Sequence, residues 1–154
     1  SIRRIEGGML SYHADADIHT NPFELGFDRL VNLDSEVNFI GKEALKKIKQ
    51  EGIKRKLVGI EILGDPISKV VPPEYTPGYF VPDHWPIFDN KEEIGYVTSK
   101  CYSPRLEKNI GYAFIPIDYS KEETQFTIKS PYANLEAKVV PMPFYDPKKN
   151  IPIK

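Results

Sequence analysis

The chain has 154 residues, 40% of them hydrophobic, which suffices for one compact core or for a domain plus a fragment of another. Its 21 basic and 22 acidic residues leave a formal net charge of -1 with no obviously basic face, which argues against nucleic acid as a partner. No run of about eighteen apolar residues marks a membrane span, no signal peptide is visible, and the single cysteine, Cys101, excludes an internal disulfide; a soluble protein of the cytoplasm is the expectation.

The chain opens on "SIRRI" without an initiator Met, which reads as an interior position of a longer polypeptide, so a fragment is expected. Glu6 follows two arginines and precedes Gly7-Gly8, where the backbone can approach another group closely. Its carboxylate could bind an amidine-like edge, two N–H donors side by side, or could pair with Arg3 or Arg4; chemistry alone favours the ion pair.

In "SYHADADIH", residues 11–19, His13, Asp15, Asp17 and His19 are spaced by two, so on a strand they would share one face and could offer two imidazoles and two carboxylates to a divalent metal. The intervening Ala14, Ala16 and Ile18 make a weak β pattern, and Asn21-Pro22 closes the stretch like a turn. In a loop the shared face disappears, and a solvated loop without metal is the expected reading.

"GKEALKKIKQEG" from Gly41 places Ala44, Leu45 and Ile48 on one helical face, with Glu43 in the first turn, Lys49 in the last, and Gly52 able to end the helix in a left-handed conformation. Beyond Gly52 the period changes. Segments 55–63, 93–99, 109–116, 124–130 and 133–141 are short, β-branched or aromatic, and separated by Gly, Pro, Asn and Asp, the texture of a β-barrel or sandwich. Between the first two lies a proline-dense segment, 64–90, expected as a long loop with at most one edge strand.

No nucleophile stands out. Cys101 follows Lys100, a neighbour that can lower a thiol pKa, but a lone Cys just after a strand is more often inert. Ser103 lacks the strand-to-helix Gly-x-Ser-x-Gly setting, and no spaced glycine pattern cradles a phosphate.

Taken together, "RRIEGGMLSYHADADIHTNPFELGFDRLVN", "FIGKEALKKIKQEG", "RKLVGIEI", "IGYVTSKCYSPRLEKNIGYAFIP" and "AKVVPMPFYDP" resemble, in order and nearly end to end, the C-terminal portion of the aminomethyltransferase family, whose best-known member is the T-protein of the glycine cleavage system. The resemblance implies an α+β chain: residues 1–52 as the last part of a folate-binding α/β middle domain, and 53–154 as a C-terminal antiparallel β-barrel. It implies tetrahydrofolate as cofactor and assigns Glu6, the Glu of the family's Arg-x-Glu-x-Gly segment, to the pterin ring.

The family follows this Glu with Tyr-Gly-x-Asp-x-Asp, matched by residues 12–17 with His13 in place of Gly, a loop beside the folate pocket where no metal is expected. Arg55 is the nearest match to a basic residue that serves the folate's glutamate tail, although Lys54, Arg55 or Lys56 could equally face water. Tyr102 and Arg105 are further candidates for the same cleft.

By the same resemblance the catalytic Asp belongs to an amino-terminal half of the polypeptide, so no catalytic residue is expected here and these residues alone are expected to be inactive. The donor would be an aminomethyl group on a lipoyl carrier protein, or a methyl group on sulfur or oxygen as in the demethylase branch. A folate-binding module, or the end of a flavin-linked amine dehydrogenase, is the reading from another class.

Overall fold

The structure, a computed structural model, describes residues 2–70, 84–148 and 150. The strands β1 (Arg55–Ile62), β2 (Trp85–Asp89), β3 (Glu92–Ser103), β4 (Lys108–Pro116), β5 (Gln125–Lys129) and β6 (Asn134–Val140) close into a barrel with neighbours in the order β1-β4-β3-β2-β5-β6. All of these pairings are antiparallel. The expected C-terminal antiparallel barrel is present. Ahead of it come α1 (Ile2–Glu6), a turn-rich segment and α2 (Lys42–Glu51); a short α3 (Ile67–Val70) follows β1.

The spacing that predicts α2 holds, with differences at its end and on its face. Gly52 does take a positive φ of 77°, and its N–H reaches the Ile48 carbonyl at 2.9 Å, but its ψ of 159° sends the chain out extended rather than in a compact left-handed cap. Leu45 and Ile48 are half-buried and Ala44 is exposed. Lys42 is the buried residue of this helix, its ammonium held by the carbonyls of Ser35 and Val37.

The proline-dense segment requires a correction. Trp85–Asp89 is a strand but not an edge, since it pairs with β3 on one side and β5 on the other and so closes the barrel. Pro86 withholds a ladder donor, and the pairing with β5 is confined to Ile87 and Phe88. Most of the remaining prolines of that segment, in 71–83, lie outside the described residues.

Strand alternation sends Val58, Ile60, Ile62, Ala113 and Ile115 inward to meet Trp85, Ile87, Val97, Phe126 and Ile128. Leu57, Ile110, Tyr112 and Phe114 point outward, where Ile5 of α1 covers them. β4 is therefore buried on both faces from Asn109 to Ile115. A five-residue helix does not form alone; burying Ile5 to 3% exposure, worth about 1.5–3 kcal/mol, is one of the contacts that hold α1 in place.

Candidate functional site

The barrel fixes the main chain on both sides of Glu6. The buried Tyr112 hydroxyl, from β4, donates to the Ile5 carbonyl at 2.9 Å, and the Tyr145 N–H donates to the Glu6 carbonyl at 2.9 Å. Burial, and then the nearby charge of Asp15, pushes the Tyr112 phenol above its usual range, so it stays a donor. The Phe144 ring stacks on Tyr112 with centroids 5.9 Å apart. After Glu6 the chain turns through Gly8 at φ 74°, where a Cβ would stand 3.2 Å from Pro143 Cβ, a place for glycine on both counts.

The Glu6 side chain meets the end of β3. It is 5% exposed, and the Ser103 hydroxyl donates to its Oε1 at 2.5 Å while accepting the Leu106 N–H at 3.1 Å. Among the described residues no cation lies within ion-pair distance of this carboxylate, and none donates to Oε2. Oε2 is not sealed, because no fully buried side-chain oxygen or nitrogen of the described residues lacks a partner. The ion pair that chemistry alone favours for Glu6 is absent: Arg3 is exposed and Arg4 is committed elsewhere.

Arg4 is committed to Asp15. The stretch 11–19 is a succession of turns, so its alternate residues share no face; Asp15 alone of the four is buried, while His13, Asp17 and His19 are exposed. Asp15 Oδ2 accepts from Arg4 Nη1 at 2.7 Å and the Ser11 N–H at 2.8 Å, and Oδ1 accepts from Thr98 at 2.7 Å and Ser99 at 2.5 Å. A register irregularity between Val97 and Ser99 lets consecutive hydroxyls of β3 face the same carboxylate. Arg4 Nη2 completes the knot by donating to Ser99 at 2.7 Å.

None of the remaining expected site residues, Arg55, Tyr102 and Arg105, hydrogen-bonds or ion-pairs with Glu6. Arg55 donates to Glu24 at 3.0 Å and to the Tyr96 hydroxyl at 3.3 Å, and lies 4.7 Å over the Phe114 ring. Tyr102 packs toward the inner cluster, on the opposite face of β3 from Ser103, so it shares no site with Glu6. Arg105, exposed in the β3–β4 turn, lies 4.4 Å over the Tyr145 ring.

His13 adopts φ 74°, the backbone that a glycine takes without strain, and lines a cleft of about 30 Å³ with Asp17, His84 and Tyr96. That volume admits a water or two. Cys101 faces the same side of β3 as Ser103; burial, then the Glu6 charge, pushes its thiol up to about 11, so it is no nucleophile at neutral pH.

The profile of the glycine cleavage T-protein C-terminal barrel domain matches residues 55–146, more than half of the chain, beginning at the first residue of β1. The chain belongs to this family. Among curated relatives of this T-protein-family chain, the aminomethyltransferase of Bacillus pumilus (strain SAFR-032) is 37% identical over 92% of the chain and 35% of the relative. That of Geobacillus sp. (strain WCH70) is 39% identical over the same shares. The glycine cleavage system aminomethyltransferase T from Bartonella henselae shares the fold with a TM-score of 0.78 at 20% identity, over 95% of this chain and 38% of that one. The chain thus spans about a third of the length of the curated relatives it matches.

Sequence reasoning missed Ser103 as a partner of Glu6, because 97 positions separate them and only barrel closure brings them together. The one local signal was the Ser103-Pro104 pair, which marks a turn after a strand.

Proposed function

We propose that the chain is the folate-facing C-terminal portion of a one-carbon transferase that works with tetrahydrofolate, as an aminomethyltransferase. One observation carries the reading: among the described residues, the buried Glu6 carboxylate has a single hydroxyl partner, no cation, and an oxygen that none of them occupies. A buried charge without a cation is costly unless something else compensates it. The amino-pyrimidine edge of a pterin offers the paired N–H donors that would do so.

Tetrahydrofolate, when bound, supplies the nitrogen that receives the one-carbon unit. Glu6 would hold and orient the ring, while Arg55 would have to share its guanidinium between Glu24 and the folate's glutamate tail. The chain spans about a third of the length of its aminomethyltransferase relatives, which supports placing the rest of the pocket, with the catalytic Asp, in a further part of a longer polypeptide. A groove of about 400 Å³, lined by Leu30, Val37, Phe39 and Leu45, is an apolar surface suited to receive that part. This chain by itself is expected not to turn over.

The test is to incubate the full-length polypeptide with tetrahydrofolate and, in turn, an aminomethyl-lipoyl carrier protein and methyl-sulfonium or methoxy donors, and to weigh the folate product. Methylene-tetrahydrofolate with the lipoyl donor is the expected result. Methyl-tetrahydrofolate would place the protein in the demethylase branch, and folate bound without product would make it a binding module.

A further inference from the structure

Resting on that reading of Glu6, we infer that Ser103 is a positioning residue, which orients the Glu6 carboxylate toward the ligand by holding one of its oxygens. A hydroxyl has one proton and two acceptor pairs. The Leu106 N–H, at 3.1 Å, engages an acceptor pair of Ser103, so the single proton is left for Glu6 Oε1 at 2.5 Å. Ser103 is itself fully buried and its backbone is registered opposite Lys108 in the β3–β4 pair, so the donor has little freedom to move.

Nothing in α1 could do the same. Glu6 is the last residue of that helix, at the end where the backbone dipole is negative and a carboxylate is unfavourable. Tyr112 and Tyr145 hold its main chain but leave its side-chain torsions open. Ser103 is the one described side chain that donates to the carboxylate, and it leaves the other acceptor positions available to a pair of ligand N–H groups. A ligand-binding carboxylate that keeps one orientation before binding loses less freedom on binding.

The test measures tetrahydrofolate affinity, by fluorescence quenching under anaerobic conditions, in the full-length protein with Glu6→Gln, Ser103→Ala, Ser103→Cys and the Glu6→Gln/Ser103→Ala pair. Expected are a loss of at least tenfold for Glu6→Gln, a loss of about tenfold for Ser103→Ala, a smaller loss for Ser103→Cys, which keeps the shape with a weak donor, and a loss in the double variant smaller than the two single losses combined. A merely structural serine would show neither the partial recovery in Ser103→Cys nor the coupling to Glu6.

Full affinity in Ser103→Ala, with Glu6→Gln impaired, would overturn the positioning role alone. An unimpaired Glu6→Gln would overturn the pterin reading and this inference with it. If Ser103→Ala does not fold, the near-isosteric Ser103→Cys separates the same outcomes.

Discussion

Of the carboxylates buried against the outer face of the barrel, Asp15 and Glu6 are held in opposite ways. Asp15 accepts four hydrogen bonds, one of them from a guanidinium, and has no acceptor capacity left for a ligand. Glu6, nine positions earlier, accepts one from the described residues, the Ser103 hydroxyl. The difference separates two uses of buried charge. A saturated carboxylate ties segments together, here α1, the loop after it and β3, whereas an under-satisfied one stores a demand that a ligand can meet.

Asp15→Ala leaves Arg4, Thr98 and Ser99 without their acceptor, and denaturant unfolding should show a loss of about 3 kcal/mol. A loss below about 1 kcal/mol would mean that the knot is ornamental. Ile5→Ala removes the apolar anchor of α1 and should cost about 2–3 kcal/mol by the same measurement, with hydrogen exchange rising across residues 2–6. Tyr112→Phe deletes the hydroxyl on the Ile5 carbonyl and should cost about 1 kcal/mol.

His13→Gly relieves a positive φ at an exposed position and should gain up to about 1 kcal/mol, visible as a small rise in Tm. Burial and the Glu6 charge both disfavour the Cys101 thiolate, so alkylation should be slow at pH 8 and accelerate only as pH nears about 11; fast labelling at pH 7 would show that Glu6 and the barrel do not enclose it.

The contrast also explains what could be read from the sequence. Helix spacing predicted α2, and alternation located β1, β4, β5 and β6 to within a residue or two, because each carries its own period. β3 runs to Ser103, beyond the expected Ser99, because "KCYS" mixes inner Lys100 and Tyr102 with outer Cys101 and Ser103 and shows no apolar alternation. β2 was hidden by Pro86.

Family resemblance singles out Glu6 as a candidate, but its isolation from Arg3 and Arg4 was not legible, since the competing partner of Arg4 is a residue 11 positions away on a turned loop. Spacing grouped Asp15 with His13, Asp17 and His19; turn geometry turned Asp15 alone inward. Contacts made by barrel closure, such as Ser103 with Glu6 or Thr98 with Asp15, leave no local trace.

The most direct measurement is Glu6→Gln in the full-length protein, with tetrahydrofolate affinity and unfolding free energy read on the same sample. Affinity should fall by about 1–3 kcal/mol while stability holds or rises, because the glutamine keeps the Ser103 hydrogen bond and removes an uncompensated buried charge. Unchanged affinity with a loss of stability would show Glu6 to be structural cement like Asp15, and would contradict the account.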